Sequence, residues 1–320
     1  LRPDEKPLMK ASDNLSTEEI KAFSQRSDWW GAWLVVSNWV LIGGIFWIAV
    51  VWTNPATLLL AVILLGGRQL GLAVLMHEAG HKTLFKTQRL NEVVGQWLCA
   101  YPVIGDVEAY AASHREHHRH AGTDSDPDLP NYRAYPVTKA SFLRKIKRDV
   151  SGKTGLALLG YLFGGQGRNL MLREGESTNS TRQALLVNLL MFAVMLAAGV
   201  GEFYLLWVIA YLTAYPLIAR IRQVAEHGNV PDLYDPDPRM NTRTTYANLL
   251  ERMIFCPNGV NYHLEHHLLA SVPAHRLPRL HRLLLQRGFY QGYEDALASS
   301  YLDVIRRAVP EFAAKPHSAT

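Results

Sequence analysis

The sequence predicts an all-α integral membrane protein: four spanning helices in two hairpins, with a cytoplasmic helical cap that holds a histidine-rich site for two metal ions. Three observations predict it. Four apolar runs are long enough to cross a hydrocarbon core of ~30 Å. Eight histidines fall into three short clusters just outside those runs. Lysine and arginine are absent from the hairpin turns and concentrated in the segment between the hairpins.

Composition sets the outer bounds. The chain has 320 residues, 48% of them apolar, and a formal net charge of +5; that length fits one or two domains. Because the polar parts are interleaved with the hairpins, a single domain over 1–320 is expected. Mean hydropathy is near zero (−0.03), as befits a few spanning helices with a large polar remainder. Cys99 and Cys256 show no metal-ligand spacing and read as reduced thiols. The first 28 residues are polar and mixed in charge, unlike a secretory leader. No nucleic-acid partner is expected.

Along the chain, residues 1–28 form an N-terminal cytoplasmic segment, without regular structure to about Asp13. Ser16 and Glu19 then make a capping box, which predicts a short helix to about Arg26 lying at the membrane surface. The first span, 29–52, is uncharged and carries Trp29, Trp30 and Trp52 at its ends, where indole rings favour the interface. Thr53-Asn54-Pro55 turns the chain, and 56–76 returns across the membrane to deliver His77. Apolar pieces at Val93–Ile104 and Gly155–Gly164 are too short to span and read as buried or interfacial. A second hairpin follows, 184–200 and 203–219, joined at Gly201-Glu202. The cap comprises 77–183 and 220–320.

Charge sets the orientation. The segment between the hairpins carries Lys82, Lys86, Arg144, Lys145, Lys147 and Arg148. The positive-inside tendency makes it cytoplasmic, and with it both termini and all three histidine clusters.

The clusters are His77-Glu-Ala-Gly-His81, His114-Arg-Glu-His117-His118 and His263-Leu-Glu-His266-His267. On a helix, positions i, i+3 and i+4 share a face. A lone helical histidine is usually structural, but repeated imidazoles at this spacing suit a transition metal. Iron, zinc or copper fits such donors, whereas magnesium and calcium prefer oxygen. Eight imidazoles exceed what one ion uses, so two ions are expected.

These residues carry a resemblance. The three boxes resemble those of the integral-membrane fatty acid desaturase and hydroxylase superfamily, over about Trp30 to Leu285. Thr123-Asp124-Ser125-Asp126-Pro127-Asp128-Leu129 after the second box belongs to the similarity. So do Thr242-Arg243-Thr244, Val272-Pro273, Leu277-Pro278 and His281 around the third, much as in bacterial fatty acid desaturases. The resemblance implies a non-haem di-iron centre, O2 as co-substrate and an external electron donor. It also implies a further ligand between the second hairpin and the third box, and His227 in Ala225-Glu226-His227-Gly228 is the candidate. The implied activity is O2-dependent desaturation of a lipid acyl chain in a bacterial inner membrane. Hydroxylation of a lipid or hydrocarbon on the same scaffold is the alternative.

Several residues carry two readings. Asp124, Asp126 and Asp128 either orient ligand N–H groups or form turns beside Pro127 and Pro130. Asp106 and Glu108 ahead of the second box are similarly open. Gln223, one turn before His227, could hold a metal-bound water. Glu78, Glu116 and Glu265 lie inside the boxes but point away from the ligand face, so contact with solvent or support of a ligand is expected of them rather than direct ligation. His120, His275, His281 and His317 fall outside the ligand pattern. Arg68 is a charge within the second span, where such groups face protein or water; it is expected to pair with Asn38 or to line a substrate tunnel.

Two rival classes remain. His77-Glu78-Ala79-Gly80-His81 also satisfies HExxH, the pattern of a membrane zinc protease, but that reading leaves most box histidines unused. A metal transporter would place its site near the bilayer midplane, whereas these histidines lie outside the apolar runs. The sequence has no CxxCH haem motif and no cysteine set for an iron–sulfur cluster. Electrons would therefore come from a separate ferredoxin, rubredoxin or cytochrome b5-like partner.

Overall fold

Asn54 folds the first hairpin: its side-chain oxygen accepts from the Ala56 and Thr57 N–H groups at 3.1 Å each. Pro55 takes the first helical position, where no N–H is needed. The computed structural model describes residues 9–162 and 178–313, so His317 lies outside the described residues. In chain order the helices are α1 (Thr17–Phe23), α2 (Asp28–Val51), α3 (Pro55–Gly80), α4 (Gln88–Val94), α5 (Val107–His120), α6 (Leu129–Tyr132), α7 (Lys139–Val150) and α8 (Lys153–Leu162). After these come α9 (Thr178–Ala197), α10 (Tyr204–Leu212), α11 (Ala214–His227), α12 (Pro238–Asn241), α13 (Leu249–Ile254), α14 (His263–Leu268), α15 (Leu277–Gln286) and α16 (Tyr301–Ala308).

Four stretches are long and apolar enough to cross a membrane: Asp28–Val51, Pro55–Gly80, Ser180–Ala197 and Gly201–His227. Their apolar windows are 28%, 67%, 11% and 56% buried within the protein. The second and fourth are thus the inner pair, while α2 and α9 turn most of their apolar surface outward, as lipid-facing helices do. Small residues let the inner pair approach. A Cβ on Gly66 would sit 2.7 Å from that of Ala214 in the fourth span, while Gly67 admits α13 in the same way, 2.7 Å from the Met253 carbonyl oxygen.

The span bounds differ from expectation in one instructive place. The fourth span, expected as 203–219, is part of a stretch reaching His227, and it breaks at Thr213 (φ −122, ψ −67). Pro216 explains the break: it has no N–H for the Leu212 carbonyl four residues back, and its ring crowds that carbonyl. The third span begins earlier than expected and ends at Ala197 rather than Val200.

The cap is helical, stitched by one short parallel pairing of β1 (Thr244–Thr245) with β2 (Leu297–Ala298). Thr245 also exchanges hydrogen bonds with Asn261, from its N–H to the carbonyl at 3.1 Å and from the Asn261 side chain at 2.9 Å. This seats the chain just ahead of α14. Asp149 of α7 binds the Arg220 guanidinium at 2.5 and 2.9 Å, tying the cap to the fourth span.

The N-terminal segment departs from expectation. Ala11–Asp13 form a 3-10 turn, and the Ser16–Glu19 capping box starts α1 as expected. The apolar face of α1 packs inward. Leu15 and Phe23 are buried with Leu264, Leu280 and Leu284 of α14 and α15, so the protein itself takes up that face. Cys99 and Cys256 are free and buried.

Candidate metal centre

Four helices deliver nine imidazoles to one place. His77 lies in the last turn of α3 and His81 caps its end. α5 starts at Asp106, whose carboxylate accepts the Ala109 N–H at 2.8 Å, and presents His114, His117 and His118. His227 closes α11, and α14 carries His263, His266 and His267. The i, i+4 pairs (77/81, 114/118, 263/267) each stay together, while the i+3 member crosses to the neighbouring group.

The result is two clusters, one of His77, His81, His114, His118 and His266, the other of His117, His227, His263 and His267. Within each, the nearest ring nitrogens lie within 4.8 Å of one another. In the first, His77 Nε2 is 2.9 Å from that of His114 and 3.1 Å from that of His266. His118 Nε2 is 3.0 and 2.9 Å from the same two atoms. His81 packs edge-on against them, and its Nε2 is buried without a hydrogen-bond partner. In the second, Nε2 separations are 3.0 Å for His227–His263, 3.1 Å for His263–His267 and 3.3 Å for His117–His267. His118 and His267 stack at 4.4 Å where the clusters meet.

Ring protons decide what these contacts mean. His117 Nδ1 lies 2.8 Å from Asp126, and His227 Nδ1 lies 2.9 Å from the Asn241 carbonyl. Those acceptors hold the proton on Nδ1 and leave bare Nε2 lone pairs aimed inward. Burial, then mutual repulsion, holds His114, His118, His263, His266 and His267 well below the usual imidazole range. His81 is pushed down to about 3 in the same way. His117 shifts up instead: burial pulls it down, but the hydrogen bond and charge of Asp126 outweigh that. Buried neutral rings with converging lone pairs repel unless a cation lies between them. The donor set fits two transition-metal ions and suits neither magnesium nor calcium.

The remaining expected residues divide. Asp126 receives His117, the Asp128 N–H at 2.8 Å and the Tyr132 hydroxyl. Asp128 lies 3.9 Å from His117 Nδ1. Asp124, one of the residues expected to steady ligands, is instead exposed on the turn. Asp106 is not brought to the rings either: it caps α5 and accepts the Ser180 hydroxyl at 2.5 Å. Gln223 sits half-buried one turn before His227. Arg68 turns into the protein, donating to Asn38 Oδ1 at 3.3 Å and to the Met253 carbonyl at 2.5 Å. Of its two expected roles the geometry gives the pairing, as a clamp between α2, α3 and α13. Glu116 and His120 are surface groups 3.5 Å apart, and His275 stacks on Trp30 at 5.4 Å.

Glu226 and the partners of Glu265 escaped the sequence reading. Glu226 is buried against Arg222 (2.6 Å) and lies 3.6 Å from His263 Nδ1; the i, i+4 spacing of an acid and a base was its signal. Glu265 is fully buried and gathers His281 Nδ1 (2.5 Å), the Thr244 hydroxyl (2.5 Å) and the Tyr290 hydroxyl. No local spacing announces that set, because its members come together only in three dimensions.

Four apolar helices beneath a helical cap, with two buried imidazole clusters at the junction, define a membrane protein whose donor groups could each hold a metal ion. The chain belongs to the fatty acid desaturase family, whose family model matches residues 53–296. That region takes in the last three spans and all nine histidines. The chain is 31% identical over 264 residues to dihydrorhizobitoxine desaturase of Bradyrhizobium elkanii, covering 78% of this chain and 71% of that one. It is 27% identical over 263 residues to beta-carotene ketolase of Paracoccus sp. (strain PC1), covering 77% and 86%. The family makes the chain an oxidoreductase.

Proposed function

We propose that the protein is an O2-dependent desaturase that introduces a C=C bond into a lipid acyl chain, with two irons held by the nine histidines. The observation that carries this reading is the division of nine imidazoles into a group of five and a group of four. A pair of irons bound there would supply a place for O2 and the redox capacity to oxidise an unactivated C–H bond. Burial keeps most of the ligands neutral, and Asp126 and the Asn241 carbonyl fix the rings of His117 and His227. Desaturation removes two electrons and two protons from the substrate, while reducing O2 to two waters takes four of each. The missing two electrons come from a separate donor, of the ferredoxin, rubredoxin or cytochrome b5-like kind, and two protons from solvent.

The site at the ends of spanning helices favours an oily substrate arriving from the bilayer. The lysines and arginines between the hairpins favour a cytoplasmic face for it, in a bacterial inner membrane. A second reading has its own support. One relative is named a desaturase and the other a ketolase, so oxygen insertion into a lipid or hydrocarbon is the alternative outcome on the same scaffold.

Lipid mass spectrometry on a host without its own desaturases tests this, comparing wild type with His266→Ala. Acyl chains lighter by two hydrogens, absent in the variant, establish desaturation. Chains gaining one oxygen move the assignment to hydroxylation. Wild-type protein purified without iron removes the basis of both.

A further inference from the structure

An open cavity of about 450 Å³ lies between α1 and α15, lined among others by Glu19, Phe23, Arg276, Arg279, Arg282 and Leu283. Its charge is one-sided. Glu19 is engaged by Arg287 at 2.5 and 2.9 Å, and no carboxylate among the described residues pairs with the three lining arginines. Arg276 donates to the Ala22 carbonyl at 3.2 Å, and its Nε is buried without a partner. Arg279 stands over the Phe23 ring at 5.9 Å, and both Arg279 and Arg282 are exposed.

The walls of this cavity lead directly to the five-histidine cluster. The inner face of α15 carries His281, bonded at 2.5 Å to Glu265, which immediately precedes His266. Just ahead of α15, the Ala274 N–H donates at 2.9 Å to Glu78, which immediately follows His77. Each route from cavity to cluster crosses one hydrogen bond. On α7, which carries Arg144, Lys145, Lys147 and Arg148, the buried Asp149 engages Arg220 instead.

We propose that the α1–α15 cavity docks the acidic face of a small one-electron carrier protein of the ferredoxin type. This rests on the function proposed above, which needs two electrons per turnover from outside the chain, delivered in two single transfers. Arginines left without acids attract a negatively charged partner and set its approach rate. Half-buried Leu283 on the cavity wall gives the contact an apolar edge.

The test uses the protein purified with its metal, in phosphatidylcholine nanodiscs. A reduced acidic plant-type two-iron ferredoxin is the probe, with reduced methyl viologen as a small reductant that needs no docking surface. Stopped-flow oxidation of each reductant and calorimetric ferredoxin binding are measured at low salt. For the double variant Arg279→Glu/Arg282→Glu, the ferredoxin rate constant falls and its Kd rises by about tenfold, while methyl viologen reacts as with wild type. The control Arg144→Glu/Lys147→Glu on α7 leaves both ferredoxin readouts in place.

Equal ferredoxin rate and Kd in wild type and the α15 variant overturn the proposal, and so does an equal loss in both variants. An α15 variant altered only in its response to added phosphatidylglycerol assigns the cavity to lipid headgroups and overturns it too. A wild type that oxidises neither reductant removes the proposed function, and this inference with it.

Discussion

His117 Nδ1 and Asp126 Oδ1 lie 2.8 Å apart in a buried site, and the same carboxylate also accepts the Asp128 N–H and the Tyr132 hydroxyl. In Asp126→Asn the carboxylate charge facing His117 is lost, and the Tyr132 hydroxyl meets an amide N–H2 where Oδ2 stood. His117 serves the four-histidine cluster, so the loss falls there. Metal affinity at that cluster should drop about 10–100-fold. Metal analysis should then find close to one ion per chain after dialysis, against two in wild type. Two tightly held ions in the variant would show that Asp126 does not steady the ring.

Glu78 distinguishes an oxidoreductase from an HExxH protease. One of its carboxylate oxygens accepts both the Thr83 hydroxyl and the Ala274 N–H, each at 2.9 Å. A glutamine can keep both bonds. Glu78→Gln should therefore retain lipid-oxidising activity to within about tenfold, since no water-activating role is asked of it. A near-complete loss with metal content unchanged would point back to a water-activating glutamate.

Much of the site could be read from the chain because helical periodicity is a local property. Imidazoles at i, i+3 and i+4 announce a shared face, and two such sets with an i, i+4 pair announce a metal pair. The split into five and four could not be read, because it depends on how α3, α5, α11 and α14 are turned relative to one another. Asp126 rather than Asp124 meets His117 for a similar reason: two residues of turn decide which carboxylate faces inward. The spans followed from hydropathy. The break at Thr213 was legible in principle from Pro216, but apolar content gives no hint of it. The burial of α1 against α15 was not legible, since an amphipathic face does not say whether lipid or protein will cover it.

Arg68 should matter for stability more than its lone position suggests. Its guanidinium satisfies Asn38 Oδ1 and the Met253 carbonyl, and Asn38 in turn receives nothing else at that oxygen among the described bonds. Arg68→Leu leaves both acceptors buried and unpaired, at a cost of about 1–3 kcal/mol each. Thermal unfolding in detergent should show a clearly lower midpoint. A variant as stable as wild type would contradict the clamp.

Removing metal should loosen the whole cap. Without a cation, Nε2 atoms at 2.9–3.3 Å face one another in two desolvated clusters. Chelation should lower the unfolding midpoint, and Fe2+ should restore it, because a ligand that binds only the folded state stabilises it by mass action. Mg2+ at equal concentration should not. Equal rescue by the two ions would contradict a nitrogen-only site.

The order of synthesis gives the cluster membership a final consequence. Each group draws on distant parts of the chain: His77 and His81 leave the ribosome first, and His263, His266 and His267 come nearly two hundred residues later. Neither group is whole until α14 has been made and both hairpins are in the bilayer. Completion of either cluster is thus a late event: a chain stopped after the fourth span carries six imidazoles and lacks at least one member of each group.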